Sequence, residues 1–234
     1  MALPDAETSL LLHCEGADAS TTVTDSSIYG ISCTPTDGAE IDTAQFKWGT
    51  SSLYFDGSSK LDIAANTGMT FGTGAWTIDF QIRFATVSGT RHLVAAGCGG
   101  SFGGPDNANG VNITWHSSAG LYIYIEGSAP AQTWTPTVDT WYHLEFARDG
   151  SNNLHWFVDG VRQAATASNS GDCTNSNTNY FGTLPTGALT NPFHGWLDEV
   201  RISKGVARHT TTFSAPTGPY DSEPDAGGNM LTVF

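Results

Sequence analysis

Two carboxylates at alternate positions, in Glu40-Ile41-Asp42, are the first candidates for chemistry in this sequence. Residues two apart on a strand point to the same side, and retaining glycoside hydrolysis needs two carboxyl groups about 5 to 5.5 Å apart. Thr43 and Ala44 follow, however, and no further acid continues the alternation. The stretch therefore reads as a polar loop between early strands. No nucleophile–base arrangement accompanies it: there is no Gly-x-Ser-x-Gly, and the seven histidines are scattered. Contact chemistry is better represented. Asp79, Gln81 and Arg83 alternate along one segment, Tyr122 and Tyr124 along a second, and His155 and Phe157 along a third. If the three segments share a sheet, these side chains emerge on one surface, where rings stack on sugars and polar groups fix hydroxyls. A protein neighbour would use the same patch. Trp134, in the 131–137 turn, is either an exposed platform or a strand-end cap.

The segments that must position these residues carry a period-2 pattern bounded by turn residues, the mark of half-buried strands. Trp76, Ile78, Phe80, Ile82 and Phe84 alternate with Thr77, Asp79, Gln81 and Arg83. Leu121, Ile123 and Ile125 repeat the pattern, as do Leu154, Trp156 and Val158. Asp159-Gly160 between apolar runs is a strong hairpin signal, and Asp149-Gly150 is a second. The Gly- and Asn-rich stretches 97–110 and 168–179 read as long surface loops. No fixed-period repeat and no linker divides the chain, so residues 1–220 are expected to form one domain. Residues 221–234, polar with an apolar end, read as a tail that orders against a partner.

Composition narrows the class. With 27 glycines, 11% aromatics and few helix formers, the 234-residue chain belongs among all-β proteins. A net charge of −14 disfavours nucleic acid, whose binding is driven by cations, and leaves carboxylates free for calcium. The first sixteen residues lack a basic region and carry only three consecutive leucines, so neither a secretory signal nor membrane insertion is expected and synthesis in the cytoplasm is. Cys14, Cys33, Cys98 and Cys173 make no Cys-x-x-Cys pair, which argues against zinc. Free buried thiols are expected, with Cys14–Cys33 and Cys98–Cys173 as the pairings should they oxidise.

Five blocks in order, SLLLHCEG, KWGTSSLYFDGSSKLDI, AWTIDFQIRF, TWYHLEFARDGSNNLHWFVDGV and FHGWLDEVRISKGVARHTTTFSAP, resemble the concanavalin A-like (laminin G-like) jelly-roll family. They cover most of residues 9–216. The closing block, Asp198-Glu199-Val200-Arg201 followed by Lys204-Gly205-Val206-Ala207-Arg208, is similar to versions of the domain in tailed-phage virion proteins. The resemblance implies a two-sheet antiparallel sandwich whose first and last strands are neighbours. Glucan hydrolases of related fold carry Glu-x-Asp-x-Glu; here alanine stands at the third place. His143 occupies a position where the family keeps a structural strand histidine. Some relatives bind calcium near the terminal strands, which makes Glu15, Asp18 and Asp198 candidate ligands; the alternative is that Asp198 and Glu199 bond loop amides and pair with Arg201. The functional expectation is a non-catalytic virion surface protein, a capsid decoration or tail-fibre subunit, that stabilises the particle or adheres to host glycans. Its partners would be other virion subunits, the major capsid protein, cell-surface glycans or further copies of itself. A free lectin module is the alternative, and a degenerate glycoside hydrolase the third reading.

Overall fold

In a computed structural model, residues 5–96, 110–126, 130–174, 177–184 and 189–220 are described. In chain order their strands are β1 (Thr8–Leu12), β2 (Cys33–Thr36), β3 (Glu40–Asp42), β4 (Ser52–Asp56), β5 (Lys60–Ile63), β6 (Trp76–Phe84), β7 (Thr90–Ala96) and β8 (Val111–His116). There follow β9 (Gly120–Tyr124), β10 (Ala131–Gln132), β11 (Trp141–Arg148), β12 (Asn153–Val158), β13 (Val161–Arg162), β14 (Ala167–Ser168), β15 (Asn179–Phe181) and β16 (His194–Lys204). A three-residue 3₁₀ turn, Thr67–Met69, lies between β5 and β6. Among the described residues no helix is long and apolar enough to cross a membrane.

The strands form two antiparallel sheets. The first runs β13-β12-β11-β6-β16-β4-β3, with β1 also on β16 and β14 on β12; the second runs β10-β9-β8-β7-β15-β5-β2. Each sheet turns one face inward, and the period-2 residues fill the space between them. Trp76, Ile78, Phe80, Ile82 and Phe84 are fully buried there, facing Ile113, Trp115, Leu121 and Ile123 of the second sheet. The sandwich is held mainly by this apolar burial, at about 25 cal/mol per Å² of surface removed from water.

Strand β16 organises the first sheet. Its first half, His194 to Leu197, pairs with β4, and its second half, from Val200, pairs with β1, so the first and last strands are neighbours. Between the halves a bulge at 198–201 holds Glu199 at a φ of 47° and re-aims the strand. The Asp159-Gly160 turn forms as the sequence implies: both residues have positive φ, 49° and 75°, the backbone of a two-residue hairpin joining β12 to β13.

Two expectations are revised. Glu40-Ile41-Asp42 is strand β3, not a loop, because Ile41 drops into the core while its acidic neighbours face out. The 168–179 stretch is bounded by strands and pinned inside: Cys173 is buried and bridges to Gly72, and fully buried Arg148 donates to the carbonyls of Gly72, Gly74 and Gly171. Cys14, Cys33 and Cys173 are free and buried, in line with the expectation of free thiols. Cys98, the 97–109 loop and the 221–234 tail lie outside the described residues.

Candidate functional site

The outer face of the first sheet divides into a covered half and an open end. The covered half holds Asp79 and Gln81 on β6, His143 and Glu145 on β11, His155 and Phe157 on β12, and Arg201 on β16, all buried. The chain following β16 seals it. His209 Nδ1 lies 2.9 Å from Glu145 Oε2, and its ring stacks on Phe213 with centroids 3.5 Å apart. Phe213 packs against Phe157 and receives Gly160, whose carbonyl accepts from the Phe213 amide; a side chain at residue 160 would collide with this segment. Tyr220 covers the Arg201 guanidinium at 4.1 Å, and its amide donates to Glu199 Oε2. Arg208 ties the same segment to Asp5 and Thr8 beside β1.

Charges beneath this strap are matched in pairs. Arg201 donates to both carboxylate oxygens of Asp79, at 3.2 and 2.8 Å. Burial alone would raise the Asp79 carboxyl, but Arg201 and His143 outweigh it and hold the group below the usual range. Glu145, directly across from Asp79, is pushed up by burial despite His209. Among the described residues, Asp79, His143 and Glu145 are the group whose ligand-type atoms converge as a metal site would require. Arg201 already occupies the carboxylate that such an ion would need.

The proposed single contact surface is therefore corrected in two ways. Asp79, Gln81, His155 and Phe157 do point out of the sheet, but the strap buries them. His155 instead lies between Asp149, 2.9 Å from its Nε2, and Arg162, and lines a cleft of about 390 Å³ at the β12 edge. Tyr122 and Tyr124 stack on each other at 5.4 Å, on β9 of the opposite sheet, so they cannot share a surface with the rest. Trp134 is a strand-end cap, with its ring against Phe84 and Tyr142.

The terminal-strand carboxylates all bond one loop, residues 43–51 between β3 and β4, each at a different place. Glu15 accepts from the Thr50 amide and hydroxyl, Asp18 from Thr43, and Asp198 Oδ2 from the amides of Lys47 and Trp48 at 2.8 and 3.0 Å. Loop-amide bonding thus holds for Asp198, whereas Arg201 pairs with Asp79 rather than with Asp198 or Glu199. Burial raises the Asp198 carboxyl to about 7 in spite of its two amide bonds, and Oδ1 is buried with no hydrogen-bond partner among the described residues. Glu199 pairs with His13 at 2.9 Å.

Arg83 alone of the proposed set on this sheet lies at the open end. Register places it opposite Trp196 on β16 and Trp141 on β11; Trp196 in turn lies opposite Tyr54 on β4, and Tyr54 opposite Glu40 on β3. All five side chains are half-buried. The Arg83 guanidinium covers the Trp196 ring at 4.6 Å and pairs with Asp139 at 3.0 Å. Tyr54 leans on the other side of Trp196 at 5.1 Å, and Trp196 Nε1 donates to Asp42 Oδ2 at 2.6 Å. Trp141 is half-buried and makes no ring–ring or cation–π contact among the described residues. Tyr54, Trp141, Trp196 and His194 were missed in the sequence. The signal was present: Tyr54 falls between the core residues Leu53 and Phe55, and Trp196 precedes core Leu197, so alternation aims both rings outward.

A two-sheet sandwich with one partly open, aromatic outer face defines a lectin-like fold. The pattern of the concanavalin A-like lectin/glucanases superfamily (Laminin_G_3) matches residues 55–210, and the chain belongs to that family. Among solved structures it is similar to domain 4 of AbnA, a GH43 extracellular arabinanase from Geobacillus stearothermophilus, in complex with arabinotriose. The TM-score is 0.63 at 14% identity, covering 86% of this chain and 94% of that one. It is also similar to the botulinum neurotoxin serotype G binding domain, with a TM-score of 0.63, 12% identity and 86% coverage, spanning 48% of that chain. The binding domain of botulinum neurotoxin DC in complex with SialylT gives 0.60 at 13% identity, over 86% of this chain and 49% of that one. This chain thus spans about half the length of the toxin domains. No curated protein matches it.

Proposed function

We propose that the protein is a non-catalytic carbohydrate-binding module that takes its ligand at the open end of the first sheet. The observation that carries this is the half-exposed Trp141 beside the Arg83–Trp196–Tyr54 row, with Glu40, Asp42 and His194 within the same end of the sheet. Apolar sugar faces stack on an indole, while carboxylates and imidazole bond the hydroxyls at the rim. The arabinotriose complex of AbnA domain 4 supports the ligand class, since that domain has the same fold over nearly its whole length. Non-catalytic action is supported by the chemistry of the two acidic pairs. Asp79 and Glu145 lie sealed under the strap with Asp79 neutralised by Arg201, and Glu40–Asp42 has alanine at the third place.

Oligosaccharide binding by the full chain, followed by calorimetry, tests the proposal. Trp141→Ala is expected to abolish the heat of binding while leaving the melting temperature nearly unchanged. Undiminished binding by that variant overturns the assignment. The narrower proposal, a subunit of a tailed-phage virion, rests on the closing block's resemblance. Mass spectrometry of purified particles tests it: a stoichiometric chain supports it, and absence from particles overturns it.

A further inference from the structure

The charges around the open end narrow its ligand further. Glu40 and Asp42 on β3, Asp56 at the end of β4 and Asp139 before β11 border the row of rings. Against these four carboxylates stands the guanidinium of Arg83, and it is already engaged: Asp139 pairs with it at 3.0 Å, and its plane lies on Trp196. Lys47 belongs to the loop whose amides bond Asp198, two residues from Trp196 on β16, and its ammonium is turned over the Trp48 ring at 5.1 Å. Neither cation is offered to a ligand without first giving up a partner. The negative field reaches the ring row itself, because after burial the causes that raise the Tyr54 hydroxyl are Asp56, Asp42 and Glu40. The whole chain, at −14, adds to the same sign.

We infer that the site selects uncharged saccharides and rejects those bearing carboxylates, such as sialylated or uronic glycans. The inference rests on the open end being the sugar site and assigns its specificity. A carboxylate laid along the ring row would approach Glu40, Asp42 and Asp56, which have no ion-pair partner among the described residues, and would find the Arg83 guanidinium fork, the group that best recognises it, already engaged. A neutral sugar loses nothing there, because carboxylates are good acceptors for hydroxyl donors. Trp196 already spends its ring faces on Tyr54 and Arg83, which also leaves little room for a cationic ligand over that indole.

The test uses matched oligosaccharide pairs, identical but for one terminal sialic or uronic acid, titrated into the full chain at low and at high salt. The neutral member is expected to bind at least about tenfold more tightly at low salt, since a few like charges within a Debye length suffice for that ratio. The gap should narrow at high salt. It should also narrow at low salt in Glu40→Gln/Asp139→Asn, which removes two of the four acids and releases Arg83; asparagine tolerates the positive φ of residue 139. Equal or tighter binding of the acidic member overturns the inference and leaves the sugar site standing. A gap that persists in high salt and in the double variant assigns the discrimination to shape, and the electrostatic inference falls. If neither member binds, the sugar site fails and its specificity with it.

Discussion

The two halves of the first sheet's outer face begin from the same pattern and end differently. Along β6, Thr77, Asp79, Gln81 and Arg83 all point away from the core, yet the first three are buried and Arg83 is half-exposed. The difference comes from more than 120 residues away: among the described residues, the segment after β16 lies over one half, on Thr77, Phe157 and Arg201. Alternation tells which way a side chain points, but water contact is decided by what lies on top of the sheet. A covered face must match its charges in pairs, as Asp79 does with Arg201. An open face can carry surplus carboxylates, as around Tyr54.

The sharpest way to break this comparison is to unpair a charge under the strap. Arg201→Ala should cost about 3–5 kcal/mol, because it leaves Asp79 buried without its counter-ion; a denaturant midpoint like wild type would mean that the covered half is wet. Tyr220→Ala should cost about 2–4 kcal/mol through lost packing on Arg201 and His143. At the open end, Trp196→Ala should weaken sugar binding at least about tenfold while costing less than about 1.5 kcal/mol in stability, since its ring is only half-buried.

The folding of the core and its strands was legible in the sequence, whereas the face was legible only in part. Trp76 to Phe84 and the Asp159-Gly160 turn are local signals, and both appear as expected. Burial of Asp79 and His155 depends on Phe213 and Tyr220, whose placement no local pattern gives. The separation of Tyr122 and Tyr124 from β6 likewise depends on which sheet β9 joins, a long-range choice that period 2 leaves open. Trp141 and Trp196 were within reach of the pattern, since each directly neighbours strand residues whose alternation fixes the outward side.

Smaller effects sharpen the account. Asp198 has its folded pKa raised by burial from an ordinary carboxylate value to about 7. A carboxyl raised in this way favours the folded state fully below pH about 4, and that contribution is lost as pH rises to 7. His92 works in the opposite direction. Burial lowers it to about 4, so its contribution is present above pH about 6.5 and is lost as pH falls through 4. Asp198→Asn should therefore remove the decline between pH 4 and 7 in urea midpoints, and an unchanged pH profile would show that Asp198 is ionised when buried. A chelator should leave the melting temperature unmoved, because Glu15, Asp18 and Asp198 bond different residues of the 43–51 loop and are not among the described groups whose ligand atoms converge. A drop reversed by calcium and absent in Asp198→Ala would establish the terminal-strand site instead.

The difference between the halves is tested most directly by the indole N–H signals of the seven tryptophans, followed by nuclear magnetic resonance while a neutral oligosaccharide is titrated in. Trp141 and Trp196 should shift and saturate together, while the core indoles of Trp76, Trp115 and Trp156 stay in place. Saturable shifts that spare Trp141 and Trp196 and gather around Tyr122 and Tyr124 on the opposite sheet would contradict the account.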